Sequence, residues 1–233
     1  MLSRMDALAH AEQTDGYRKA CLDSDFNSIA RYGQQYTFFS CQRQTDLQNI
    51  VDHYDLTKGS RIITLHPTAD GGFPHTRPDN LICMPADFPL DGALKTLLHE
   101  ACHLSQRTNP APWISYSMRQ GWWPVAATEL PTNMRERVRI NPDTMAEPFW
   151  AWQDYHVPLP LFVNELHPKL NECDVRWFDR RNRVLYTAPP PSFKERYGTF
   201  VAQPEHPYEV SAVELSARGI KTKTELMNVL LSE

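Results

Sequence analysis

A chain of 233 residues is long enough to bury one sizeable core, and 41% hydrophobic with 22% charged residues is ordinary for a folded globular protein. The formal charge of −4 offers no broad basic surface, so nucleic acid is not an expected partner. No apolar run approaches the ~20 residues that cross a bilayer, and residues 1–7 lack the apolar block of a secretory signal. Together these predict a cytoplasmic protein with no membrane partner, and they leave its oligomeric state open. The five cysteines, Cys21, Cys41, Cys83, Cys102 and Cys173, are scattered and form no C-x-x-C pair. Reduced, mostly buried thiols are expected, without a disulfide framework or a zinc knuckle.

Residues 1 to about 55 read as helical and polar-rich, with Ala7-Leu8-Ala9 and Leu47, Ile50 and Val51 as apolar contacts. Tyr36-Thr37-Phe38-Phe39 fits a strand or a buried helical turn equally well. The β-branched stretch 61–66, bounded by Lys58-Gly59 and Pro67, reads as a strand. Asp70-Gly71-Gly72-Phe73-Pro74-His75 follows as a turn-rich loop, and 79–85 as a second strand. Asp91-Gly92 can then open a helix, with Leu94, Leu97, Leu98, Ala101 and Leu104 as its buried stripe and Asn109-Pro110 as its stop.

Inside that helix the sequence runs His99-Glu100-Ala101-Cys102-His103, an H-E-x-x-H pattern. Residues four apart lie one above the other on a helix, so both imidazoles can address one point. Zn²⁺ favours such ligands, and Glu100 would stand beside it as a general base. Cys102 is turned away from the two histidines and reads as core packing.

The motif and the Asn80-Leu81-Ile82-Cys83-Met84-Pro85 strand before it resemble the zincin metallopeptidases, in particular small intracellular zincin-like domains such as those of antirestriction and IrrE-type proteins. The resemblance covers residues 78–108. It implies an α+β fold: a small mixed sheet, an edge strand over Leu81–Met84 that pairs with substrate backbone, the motif helix packed on it, and a second ligand-bearing helix. The domain would span 1–233 as one catalytic unit.

After the helix the composition turns to Trp and Pro: Trp113, Trp122-Trp123-Pro124, Trp150 and Trp152, Pro158 and Pro160. Residues of about 110–190 are expected to be an irregular insertion, more often simple packing than an aromatic cleft. Arg135, Arg137 and Arg139 read as a solvated basic face. Residues 175–186 resemble a hairpin, Pro189-Pro190-Pro191 a stiff linker, and 224–231 a docking C-terminal helix.

A catalytic zinc needs three protein ligands with the fourth position left open. No histidine follows His103 at the interval of the H-E-x-x-H-x-x-G-x-x-H extension, so a distant residue is required. Glu209 is the preferred third ligand. Pro207 can open its helix, Ser211, Ala212, Ser216 and Ala217 permit close approach, and Glu209 with Ala212 looks like the E-x-x-A helix of gluzincins. Glu214 lies roughly 140° round from Glu209, so the two should not share one metal. Glu214, Glu129, Glu147, His156 and His167 remain alternatives. His206 is the first choice for a catalytic donor to the oxyanion, with Tyr208, Tyr155 and His156 as others, and helix capping is an equal reading of His206. The function expected is a zinc metallopeptidase acting on a peptide or protein substrate. The alternative is a catalytically silent zincin-like sensor or protein-binding module, and the intact Glu100 argues against it.

Overall fold

The computed structural model describes residues 3–198 and 204–232. The polar N-terminal quarter forms four helices: α1 (Arg4–Asp15), α2 (Tyr17–Leu22), α3 (Asp25–Ala30) and α4 (Gln42–His53). Ser3 and Ser24 cap α1 and α3 by accepting backbone N–H groups, and left-handed Gly16 (φ 61) separates α1 from α2. Two strands flank a left-handed turn at Asp70 and Gly71: β1 (Arg61–Leu65) and β2 (His75–Arg77). A third, β3 (Leu81–Pro85), precedes the long helix α5 (Ala93–Thr108). Gly92 opens α5 in the left-handed region with no side-chain cap, so Asp91 does not cap it.

These three strands form a mixed sheet in the order β1-β3-β2, with β1 parallel and β2 antiparallel to β3. The expected edge strand is therefore the central one. Every residue of Leu81–Pro85 is buried, and a continuous apolar run is the pattern of a strand covered on both faces. The edges are β1 and His75–Arg77, whose first residue sequence placed at the end of the turn-rich loop. The three polar residues of the latter are buried nonetheless, each with polar partners.

Behind α5 come α6 (Pro110–Arg119), β4 (Trp122–Pro124), the short α7 (Thr132–Arg135), β5 (Trp150–Trp152), β6 (His156–Phe162), β7 (Cys173–Asp179), β8 (Val184–Tyr186) and α8 (Pro191–Tyr197). The stretch expected to be irregular thus carries a five-stranded antiparallel sheet, β4-β5-β6-β7-β8. Its prolines hid it. Pro158 and Pro160 face Trp177 and Val175 of β7 in the register, and the Pro160 carbonyl turns outward to accept the Arg139 N–H. Their missing N–H groups therefore fall on the side of β6 away from β7, where the strand makes only an isolated bridge to Val138 and proline costs least. Trp122, Trp150, Trp152 and Trp177 pack with Phe193 and Val210 into one aromatic core. The 175–186 hairpin is β7–β8, as read.

The chain closes with α9 (Pro207–Ala217) and α10 (Lys223–Leu231). The α5 stripe is split between two cores. Leu97 and Leu104 meet Ile62, Ile82 and Met84 of the sheet and Leu47 and Val51 of α4. Leu98, Ala101 and Cys102 meet Trp113, Tyr208, Ala212 and Leu215 with Leu226 and Leu230 of α10. Helix α5 is therefore held between the mixed sheet and α9. All five cysteines are free, and Cys102 packs in the core as expected. Among the described residues, no helix is long and apolar enough to cross a membrane.

Arg77 locks the N-terminal helices to the edge strand. Its side chain is fully buried and donates to Glu12 (2.8 Å), to both Asp15 oxygens (2.7 and 2.9 Å) and to the Tyr36 hydroxyl (2.7 Å). Removing the guanidinium leaves the carboxylates of Glu12 and Asp15 in a part-buried site without the cation that pairs them. Arg77→Ala should lower the unfolding free energy by about 3–5 kcal/mol, read as a shifted urea midpoint; a loss below about 1 kcal/mol would show the clasp to be dispensable.

Candidate metal centre

Helix periodicity stacks His99 and His103 on one face of α5, and the fold brings α9 across that face. The small side chains of Ser211, Ala212 and Ser216, all buried on α9, allow the approach. The Ser211 hydroxyl folds back onto the Pro207 carbonyl, so it leaves no unpaired donor between the helices. The Nε2 atoms of His99 and His103 are 3.0 Å apart, and Glu209 Oε2 lies 3.3 Å from each. These three donors converge and could hold a metal ion. Glu209, the third ligand preferred from sequence, is where it was expected.

Second partners fix two of the three donors, His103 and Glu209. His103 Nδ1 donates to Gln106 Oε1 (2.6 Å), and Gln106 Nε2 donates to the Tyr208 carbonyl (3.1 Å). In the neutral ring that leaves the lone pair on Nε2, the nitrogen facing Glu209. Asn141 Nδ2 donates to Glu209 Oε1 (2.6 Å), which leaves Oε2 for the centre. Oε2 is buried with only the two imidazoles beside it and no well-aligned hydrogen bond, a position a bound cation would satisfy.

The electrostatics point the same way. Burial pushes the Glu209 carboxyl up, but the His103 and His99 imidazoles outweigh it and hold the group well below the usual carboxylate range. Burial pulls His103 down, and Glu209 with Asp143 overrides it and raises the imidazole to about 10. A carboxylate this deep demands a positive charge beside it, supplied by a proton or by a metal.

Glu100 follows His99 by one residue and is 3% exposed. Its Oε2 is also buried without a partner. Burial first, then the nearby Asp143 and Glu209 charges, push its carboxyl well above the usual range, against the pull of His103. All four residues line one cleft of about 420 Å³.

The outer wall of the cleft is the segment 139–143. Arg139 pairs with buried Glu205 at 2.7 Å and lies over the Phe73 ring. The Thr76 N–H donates to Asp143 Oδ1 (2.8 Å), the Thr76 hydroxyl bonds the same oxygen, and Arg107 Nη2 donates to the Thr76 carbonyl (3.2 Å). In the antiparallel register Thr76 faces Ile82, with both of its backbone groups turned away from β3. In a three-residue edge strand those are the outward groups, and both are taken. Neither β3, which is internal, nor β2, which is capped, can align a substrate backbone in the way the sequence led us to expect.

His206 is not a catalytic donor. It caps α9: Nδ1 accepts the Tyr208 N–H (3.1 Å), Nε2 donates to the Glu147 carbonyl (2.9 Å), and the ring is 1% exposed. Neither it nor Tyr208, Tyr155 or His156 lines the cleft. Of the alternative third ligands, Glu129 pairs with Arg180 and Glu214 lies 3.9 Å from Arg196. Glu147 and His167 are exposed and His156 sits on β6, so none joins the centre. The arginine series does not form one basic face, since Arg135, Arg137 and Arg139 separately engage Thr132, Glu165 and Glu205. Sequence reasoning passed over Gln106, Asn141, Asp143 and Arg107. Gln106 had a signal, since i+3 from His103 puts it on the ligand's own face. The others reach the site only through tertiary folding.

Compared with known proteins, the chain matches no family model, no curated protein and no solved structure.

Two expectations follow. Titration with Zn²⁺ should saturate at one equivalent and stabilise the fold, by about 2.7 kcal/mol at a hundredfold excess over Kd. EDTA should reverse the gain, and His103→Ala or Glu209→Ala should abolish it; an equal gain in those variants would place the ion elsewhere. His206 gives a pH signature. Burial depresses its imidazole from 6.5 to about 4, so the unfolded chain takes up a proton that the folded chain refuses. Its contribution should be intact above pH 6.5, fall as pH drops towards 4, and total roughly 3 kcal/mol. His206→Asn, which keeps a cap acceptor, should flatten that part of the stability–pH curve.

Proposed function

We propose that this chain is a cytoplasmic, zinc-dependent hydrolase of peptide bonds with a zincin-like arrangement of strand, motif helix and second ligand helix. The observation that carries the reading is Glu100: a buried carboxyl with an orphaned oxygen, lining the cleft beside three convergent metal donors. A site that only bound a metal for structure would have no use for a desolvated acid there.

Two nitrogens and one carboxylate oxygen are a usual ligand set for catalytic zinc. Bonds of about 2.0–2.1 Å place tetrahedral ligands about 3.3–3.4 Å apart, and the observed separations are 3.0, 3.3 and 3.3 Å. The Gln106 contact supplies the second partner that metal-bound histidines ordinarily have. When bound, zinc supplies Lewis acidity and brings the pKa of a water towards ~7. Glu100 then takes the proton from the attacking water and passes it to the leaving amine. Its raised affinity for protons suits the first of these steps. The five free cysteines are in keeping with a reducing compartment.

The test is Glu100→Gln. The variant should bind zinc as the parent does and lose about 10²–10⁴-fold in peptide hydrolysis, followed by mass spectrometry of cleaved peptides. A parent that holds zinc and cleaves nothing would instead be the silent sensor or binding module.

A further inference from the structure

The cleft says how a substrate can be held. An extended chain laid along a sheet edge needs free outward N–H and C=O groups. Here Asp143 and Arg107 occupy both outward groups of Thr76, and Arg107 also grips the Pro142 carbonyl at 3.0 Å. Backbone pairing is closed to the substrate. What remains is a cleft of about 420 Å³, a size that encloses a small molecule and not a long polypeptide.

Three cationic side chains line that cleft. Arg31 is consumed by Asp70 (2.7 Å), Asn27, Tyr17 and the Ile140 carbonyl. Arg139 is consumed by Glu205. Lys95 is exposed and, among the described residues, its ammonium has no partner. It stands one helical turn before His99 on the same face of α5, with Cβ atoms about 5–6 Å apart. A peptide advances about 3.3–3.6 Å per residue. A carboxylate one residue beyond the bond held at the metal centre therefore comes within reach of the Lys95 stem.

We infer that the substrate is a short peptide with a free C-terminal carboxylate, anchored by Lys95 and cut at or next to its last peptide bond. The inference rests on the hydrolase reading above and adds its substrate class. The covalent step is ordinary hydrolysis: water adds across the C–N bond, the new acid keeps the hydroxyl, and the departing amine takes the proton.

The experiment uses the zinc-loaded full chain with an N-acetylated tripeptide library made twice, as free acids and as C-terminal amides, and with reduced casein. Free acids should be cut at least tenfold faster than amides, through KM more than kcat, and casein should yield no internal fragments. Lys95→Met should raise KM for the acids until the preference disappears, with zinc stoichiometry unchanged. Equal cleavage of acids and amides, internal cuts in casein, or an unaltered preference in Lys95→Met would each overturn the inference. Calorimetry of zinc-loaded Glu100→Gln with the same two libraries separates this inference from the reading it rests on. If the parent cleaves nothing, the hydrolase reading fails, and binding of acids in preference to amides still supports the carboxylate anchor. No difference between the two libraries overturns it.

Discussion

One contact organises this molecule: the buried carboxylate of Glu209 against the imidazoles of His99 and His103 at 3.3 Å. A carboxylate taken out of water costs several kcal/mol unless positive charge meets it, so α9 and α5 cannot shift independently. The two cores beside α5 make that geometry rigid. The mixed sheet and α4 hold one side of the helix through Leu97 and Leu104, while α10 and Trp113 hold α9 against the other through Ala212 and Leu215. The aromatic core fixes α9 from a third direction at Val210. Packing on three sides thereby sets the positions of the donors.

Around that contact, several polar side chains are paired. Gln106 is spent on His103 and the Tyr208 carbonyl, Asn141 on Glu209, Asp143 on Thr76, and Arg107 on the carbonyls of Thr76 and Pro142. The orphans are correspondingly informative. Glu100 Oε2, Glu209 Oε2 and Asp70 Oδ2 line the same cleft without a hydrogen-bond partner, and a cation with its water would meet the first two. An unsatisfied buried carboxylate oxygen costs about 1–3 kcal/mol or more, and such a cost is tolerated where function requires it.

The parts of this structure legible in the sequence are those written in local periodicity. The H-E-x-x-H spacing, the α5 stripe, the β-branched run of β1 and the β7–β8 hairpin all depend on neighbours within a few residues. Glu209 was legible for the same reason, as an acid at the start of a proline-opened helix with a small-residue face. What sequence hid was set at long range. Whether a strand is central or at an edge depends on what pairs beside it, so Leu81–Pro85, expected at the edge, is central, and His75–Arg77 is an edge strand that was not foreseen. The five-stranded sheet was concealed by Pro158 and Pro160, whose tolerance depends on which side of β6 pairs with β7. Asn141 and Asp143 sit in an irregular segment whose sequence says turn and nothing more.

His103 and His206 show why residue type alone could not assign the site. Both rings are buried to within a few per cent, both have both nitrogens engaged, and both touch α9. Burial dominates His206, whose contacts are backbone dipoles, and pulls it down to about 4. Burial acts on His103 in the same sense, yet the carboxylate 3.3 Å from Nε2 reverses it and lifts the ring to about 10. The difference is a single charge at bonding range. Where only dipoles meet an imidazole it stays neutral and serves as a cap. Where a buried carboxylate meets two of them, the cluster attracts a cation. A proton is the weakest claimant, because it can bridge two of the three donors at a time. A divalent ion could meet all three donors at once, in competition with the proton that Glu209 helps His103 keep.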